Sequence, residues 1–189
     1  MGRVVIPNRD MAGLAEAVCA LAGARSLVAL TGAGISVASG IPDFRSPGGV
    51  WTIYDPDEYA TIQAFHEHPA KAWVMYRALY QELRGKRPNA AHRALARLEA
   101  AGRLAGVITQ NIDGLHQAAG NHTVWEIHGN VGHLQCLSCR SRHPVPETVL
   151  EDRAVPHCPR CGSPLKPDVV LFGEDVREMP AVEHAIARC

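Results

Sequence analysis

The sequence predicts an α/β fold: one open, mainly parallel sheet with helices packed on it, interrupted by a small module closed around metal. Three observations lead there. Short apolar runs at 27–30, 104–109 and 124–127 have the length and composition of buried parallel strands, and they alternate with longer stretches of helical periodicity. A polar cluster follows each run at once, which is where an open sheet of this kind places its ligands. Two Cys-x-x-Cys pairs, eighteen residues apart, stand in the C-terminal third.

Bulk composition narrows the function classes. The 189 residues are enough for one ordinary domain with a small insertion. With 19 basic and 19 acidic side chains, the chain offers no net-charge attraction for nucleic acid or an anionic membrane. No apolar run approaches a membrane-spanning helix and the N-terminus has no signal-peptide pattern, so a soluble cytoplasmic protein is expected. In a reducing compartment the paired cysteines read as metal ligands, leaving Cys19 and Cys189 as ordinary thiols.

In chain order, Asp10 is placed to cap a first helix whose Leu14, Val18 and Leu21 share a face and which Gly23 ends. The first strand follows at 27–30. Residues 47–56, rich in Pro, Gly, Trp and Tyr, read as a covering loop. The stretch 57–84 is largely helical, with Trp73, Tyr76, Leu79, Tyr80 and Leu83 spaced as a core face. Pro88 and Asn89 open another helix with Ala91, Leu95, Leu98 and Ala101 on one stripe, closed by Gly102. The second and third strands then complete the alternation, and a last helix is expected at about 178–188.

The stretch Thr31–Arg45, TGAGISVASGIPDFR, is the chemical centre of the pattern. Gly32 and Gly34 after a strand let a backbone approach a diphosphate closely, and a following helix start presents free N–H groups. Val37 stands where the common dinucleotide fingerprint needs a third glycine, and no Walker lysine follows. A plain tight turn fits the glycines alone equally well; the run Asp43-Phe44-Arg45 just beyond them does not suit one. The other two clusters are Gln110-Asn111-Ile112-Asp113 and His128-Gly129-Asn130.

Cys136, Cys139, Cys158 and Cys161 form two knuckles that can aim four thiolates at one point, the tetrahedral set of zinc. Four sulfurs leave no open position for water, so this zinc is expected to be structural. An iron–sulfur cluster and a redox dithiol are the other readings of such spacing.

These residues together resemble the sirtuins, NAD-dependent protein-lysine deacylases. The resemblance rests on GAGISVASGIPDFR (32–45), TQNIDGLH (109–116), His128-Gly129, the cysteine pairs and VVLFGE (169–174), in family order over almost the whole chain. It implies a Rossmann-like sheet and a role for each matching position. Gly32, Ala33 and Gly34 would line the diphosphate of NAD, with Asp43, Phe44 and Arg45 on the cofactor loop and Phe44 over the reacting ribose. Ile41, Asn111, Ile112 and Asp113 would hold the nicotinamide amide and Gln110 would lie by its ribose. His128 would be the general base, a task suited to imidazole as a residue type. Val170, Phe172 and Gly173 would pair with an acyl-lysine peptide or protein. The implied reaction transfers the acyl group to ADP-ribose and releases nicotinamide.

The same resemblance gives the division expected along the chain: 1–131 as the Rossmann-like part, with cofactor loop and helical insertion at about 43–87, 132–166 as the zinc module, and 167–189 as the return to the sheet. It also marks departures. The family continues past the position of Cys189 with strands that hold the adenosine half of NAD, so an incomplete sheet with an uncovered edge is expected, and with it weak NAD binding and self-association. Desuccinylases carry Tyr-x-x-Arg before the segment matching 88–92; the register adopted puts Val74 and Arg77 there, which favours acetyl or another neutral acyl group. Two further functions fit the sequence: a catalytically impaired zinc-containing protein-interaction module, and an NAD-dependent ADP-ribosyltransferase. Direct nucleic-acid binding is not expected, since 130–165 has basic residues without interleaved aromatics. The pattern carries nothing on oligomeric state.

Overall fold

The structure, a computed structural model, describes residues 11–24 and 26–189; Asp10, the expected first cap, lies outside the described residues. Three parallel strands, β1 (Leu27–Thr31), β2 (Leu104–Thr109) and β3 (Val124–Glu126), form one sheet in the order β1-β2-β3. The register pairs Thr31 with Thr109 and Thr109 with Glu126, so the three strands end level with one another. The polar clusters that follow them therefore emerge at one height, side by side. Central β2 is buried at every position except Ala105, as a strand covered on both faces should be. β1, apolar enough to read as a buried strand, is an edge of the described sheet, and its Leu30 is 67% exposed, in line with the uncovered edge expected of the incomplete sheet.

Helix α1 (Met11–Gly23) forms as expected, but its apolar stripe of Leu14, Val18 and Leu21 is exposed. Its C-terminal carbonyls are tied down by a side chain from the turn before β2: Arg103 donates to the backbone oxygens of Leu21, Ala22 and Ala24. Helices α2 (Val50–Ile53), α3 (Pro56–Tyr59), α4 (Ile62–Glu67) and α5 (Pro69–Leu83) occupy the stretch read as loop and helix. Helix α6 (Ala90–Ala100) starts at Asn89 as expected, in a reciprocal capping box with His92. Its buried face is His92 and Ala96, one residue along from the Ala91–Leu95–Leu98 stripe, because His92 turns inward to meet His116 of helix α7 (Leu115–Ala119).

The two imidazoles lie 4.9 Å apart and are almost wholly buried. Thr31 Oγ1 donates to Thr109 Oγ1 and so accepts from His116 Nε2 at 2.9 Å, which leaves His116 Nδ1 without its proton. Burial lowers the pKa of both rings; His92 adds to the shift at His116 and Arg93 at His92, while Asp113 opposes it at both. A base with a lowered folded pKa contributes fully above its unfolded value of about 6.5 and loses that contribution as the pH falls through it. The thermal midpoint should therefore drop between pH 7 and pH 5, with a shallower slope in His92→Gln. Parallel slopes in scanning calorimetry would refute this.

A second, antiparallel sheet has the order β5-β4-β6, from β4 (Gly129–Cys136), β5 (Arg142–Pro144) and β6 (Leu165–Val169). Helix α5 packs on it. Trp73, fully buried, donates its indole N–H to Leu165 O at 2.8 Å, and Met75 and Tyr76 join Leu134, Leu165 and Val169 in one core. Each large apolar side chain so buried contributes about 1.5–3 kcal/mol. The helical insertion and the zinc-binding segment thus form a single packed unit beside the parallel sheet. Helix α8 (Met179–Ala187) buries Val182 and Ala185.

Candidate functional site

A cavity of about 520 Å³ lies between the carboxyl ends of the parallel strands and the second unit. Its floor comes from the strand ends. Gly32 leaves β1 extended, and 33–39 then makes a 3₁₀ helix where an α-helix start was expected. Asn89 holds this turn by donating to Ile35 O and Ser39 Oγ. Ser36, 1% exposed, donates to Asp113 Oδ2 at 2.6 Å and accepts from Asn111 Nδ2 at 3.2 Å. Asp113 also takes the backbone N–H of Leu115. The glycine turn and the cluster after β2 are thereby locked together. Nothing in the sequence pattern singled out Ser36, although a serine two positions past the glycines was the available signal.

The cofactor loop closes over one side. Asp43 accepts from the backbone N–H groups of Arg45 and Ser46 and from the Ser46 hydroxyl, which hold its carboxyl below the usual carboxylate range. Phe44 packs on Trp51 at 5.1 Å between ring centroids, and Trp51 packs on Phe172 at 6.0 Å. One chain of aromatic rings therefore joins the loop to the opposite wall.

His128 sits just beyond β3, with Nδ1 3.0 Å from the carbonyl oxygen of Gln110. A carbonyl can only accept, so Nδ1 carries the proton and Nε2 is the basic nitrogen of the neutral ring. The next residue must be glycine: Gly129 has φ +76°, and a Cβ there would lie 2.2 Å from Asp168 O. That contact brings the segment after β6 against His128, whose carbonyl accepts from Val170 N at 2.8 Å.

The 170–173 segment is held from several sides. Phe172 exchanges backbone hydrogen bonds with Ala60 and Ile62, and Leu171 N donates to Glu174. Glu174 is fixed in turn by the fully buried Lys166 at 2.9 Å. Asp168, at the end of the same strand, is gripped by Arg142 and Arg177, both at 2.6 Å. The C=O of Val170 and both backbone groups of Gly173 make no hydrogen bond among the described residues.

Of the residues singled out in the sequence, Ala33, Gly34, Asp43, Phe44 and Arg45 line the cavity from the loop side. Gln110, Asn111, Ile112 and His128 line it from the strand ends, and Val170, Phe172 and Gly173 from the far wall. Gly32, Ile41 and Asp113 do not line it; Asp113 acts on it through Ser36, and Ile41 is bonded to Ser36 O. The acyl-clamp register needs correction. Val74 is 55% exposed, and Arg77 turns away to donate to Val149 O and Ala154 O. Helix α5 presents Met75, Tyr76 and Leu79 to the cavity instead, because its 3.6-residue repeat puts 76 and 79 on the inner face and 74 and 77 off it. Tyr76 and Leu79, spaced as a core face, serve both the core and the cavity.

The metal centre lies at the tip of the second sheet. The four Sγ atoms are within 4.8 Å of one another, with Cys136–Cys161 at 3.5 Å and Cys139–Cys158 at 3.6 Å. Tetrahedral zinc with sulfur at about 2.3 Å separates its ligands by about 3.8 Å, so the set fits that ion. The knuckles match bond for bond: Cys136 N donates to Ser141 O and Arg140 N to Cys136 O, as Cys158 N does to Ser163 O and Gly162 N to Cys158 O. Arg140 and Gly162, each following the second cysteine of its pair, share a left-handed backbone. The Ser141 hydroxyl lies 3.0 Å from Cys139 Sγ and 3.4 Å from Cys158 Sγ, and it lowers the pKa of both thiols, which favours the thiolates a metal needs.

A sequence model described as the Sir2 family matches residues 32–189. An NAD-dependent protein deacylase of Thermococcus kodakarensis is 45% identical over 180 residues, covering 92% of this chain and 69% of that protein. NAD-dependent protein deacylase 2 of Pyrobaculum aerophilum is 47% identical, covering 82% of this chain and 61% of that protein. Among solved structures, a Sir2 variant with a deacetylated p53 peptide and 3′-O-acetyl ADP-ribose superposes with a TM-score of 0.79 at 38% identity, over 92% of this chain and 71% of that one. The chain thus spans between 61% and 71% of the length of these relatives.

Proposed function

This chain belongs to the Sir2 family, and we propose that it carries the catalytic site of an NAD-dependent protein-lysine deacylase. The observation that carries the proposal is the junction of two half-sites at one residue: His128 is bonded through its ring to Gln110 and through its carbonyl to Val170. One residue thus joins the two sides, its ring on the cofactor side and its backbone carbonyl on the substrate side.

The cradle fits NAD. Gly32, Ala33 and Gly34 offer an uncrowded backbone turn, since a Cβ on either glycine would meet nothing within 4 Å. Asn111 and Ile112 bind the nicotinamide amide, and Asp113 holds them in place through Ser36, which donates to Asp113 and accepts from Asn111. Phe44, pinned by Trp51, covers the reacting centre and excludes water. Bound NAD supplies a ribosyl carbon that gives up nicotinamide and accepts the acyl oxygen. His128 Nε2 then removes a proton from a ribose hydroxyl, while its Nδ1–H stays on the Gln110 carbonyl and stabilises the charged ring. The substrate peptide pairs with the free C=O of Val170 and the free backbone groups of Gly173, adding a strand. Its acyl-lysine passes between Phe172 and Ile112 toward Met75, Tyr76 and Leu79. We place the protein in the cytoplasm, where its thiols stay reduced. Among the described residues no helix is long and apolar enough to cross a membrane.

Nicotinamide release tests the proposal: it should require both NAD and an acetylated peptide. Release without acyl peptide would favour the ADP-ribosyltransferase, and no release the interaction module. The acyl group should be neutral. Among the described residues the one Lys or Arg lining the cavity is Arg45, on the loop, so a carboxylate on the acyl chain would lie unpaired against apolar side chains. The kcat/KM for acetyl-peptide should exceed that for succinyl-peptide by at least about tenfold; the reverse order would refute this.

A further inference from the structure

Lys86 makes a contact that neither the core nor the cavity wall accounts for. Beyond the end of α5, Gly85 takes a left-handed turn (φ +74°), and the chain then runs without helix to Asn89. From this stretch Lys86 reaches the glycine turn, where its Nζ donates to the carbonyl oxygen of Gly40. Among the described residues that oxygen has no other donor. Gly40 closes the 3₁₀ helix 33–39, and the last carbonyls of such a turn carry partial negative charge that an ammonium suits. Glu82, 2.8 Å away, holds the same ammonium. The approach is close: a Cβ on Gly40, itself left-handed at φ +78°, would stand 3.3 Å from Lys86 Nζ. A surface ion pair contributes little to stability, and ordering a long side chain costs entropy, so stability alone does not explain the contact. Its position does. Gly40 is the last residue before the cofactor loop. Past it, Ile41 N bonds back to Ser36 O, while the following backbone bonds, Val50 N to Asp43 O and Trp51 N to Phe44 O, lie within the loop and α2. Asp43, Phe44 and Arg45 line the cavity, whereas Lys86 does not.

We propose that Lys86 is a positioning residue for the cofactor: by fixing the Gly40 carbonyl it sets the direction in which the loop leaves the glycine turn, and with it the place of Phe44 over NAD. The inference rests on the deacylase reading, and within it on NAD binding at Gly32, Ala33 and Gly34. Asn89 fixes the same turn at Ile35 O and Ser39 Oγ, so two residues of one short segment hold it along its length. Lys86 belongs to none of the segments on which the family resemblance rests. A shift of about 1 Å in the loop is enough to misplace a ring that excludes water from the reacting centre.

The test uses Lys86→Met, which keeps an unbranched apolar stem and removes the donor, beside Lys86→Arg, whose guanidinium still donates to a single carbonyl. Titration of NAD by calorimetry should show affinity about five- to tenfold weaker in Lys86→Met, the loss expected for one charged hydrogen bond, and nearly unchanged in Lys86→Arg. Amide exchange without NAD should quicken at 41–51 in Lys86→Met and stay level in β2. In turnover, the KM for NAD should rise by a similar factor while that for acetyl-peptide changes much less. The thermal midpoint should stay level, as for most surface substitutions. Unchanged NAD affinity or unchanged loop exchange in Lys86→Met, or no recovery in Lys86→Arg, would each overturn the assignment. So would a clear fall in the thermal midpoint, which would make the lysine a structural tie. Each of these outcomes leaves the deacylase reading intact. NAD binding without turnover of any acyl peptide in the unsubstituted protein would sink that reading, and the affinity comparison would still decide the role of Lys86. No NAD binding at all would sink both.

Discussion

His128→Ala lowers deacetylation by about a hundredfold or more, the usual scale for losing a positioned general base, and leaves the fold in place. The imidazole is half-buried, and its ring is attached through a single hydrogen bond to Gln110 O, so removing it opens no large core cavity. The backbone bond from Val170 N to His128 O survives the substitution, so the substrate wall should keep its position. The loss should therefore fall on kcat, with the KM for peptide changed much less. Steady-state kinetics with an acetylated peptide, read beside the thermal midpoint, checks this. Near-normal turnover at a normal midpoint would remove His128 from the role of base.

Removing the metal should have the other large effect, on structure. We expect about one zinc per chain and its complete loss in Cys158→Ala. Structural zinc contributes on the order of 10 kcal/mol of binding free energy, and here it ties the β4 end to the β6 approach. Those strands share a core with Trp73 and Tyr76, so the damage should spread from the knuckles into the wall of the cavity. Elemental analysis gives the stoichiometry, and amide exchange before and after chelation should show β4 to β6 losing protection while β2 retains it. A zinc-free chain with unchanged protection would refute the structural role.

Much of this arrangement was legible in the sequence where local chemistry decides it. The strands at 104–109 and 124–127, the Asn89 cap and the four cysteines follow from apolar runs, capping chemistry and ligand spacing, which need no knowledge of the rest of the chain. What was missed depends on contacts between distant segments. The His92–Ala96 face of α6 is polar-looking and becomes the buried face only because His116 is waiting for it across 24 residues. The α1 stripe reads as core yet stays exposed, since periodicity states that a face is apolar and not that anything covers it. Ser36 earns its place through Asp113, 77 residues away. The clamp register failed by two positions because a helix phase cannot be fixed from one end; the cavity selects Tyr76 and Leu79. Residues such as Asp113, whose action passes through a neighbour, are nearest to invisible in a linear reading.

The central claim is that one residue, His128, serves an NAD cradle and an acyl-lysine wall in the same reaction. Mass spectrometry of the products, after incubation with NAD and an acetylated peptide, tests it most directly. The account predicts deacetylated peptide, nicotinamide and O-acetyl-ADP-ribose in equal amounts, with all three absent when either substrate is left out. Free acetate in place of the acetylated nucleotide, or ADP-ribose attached to the peptide, would contradict it.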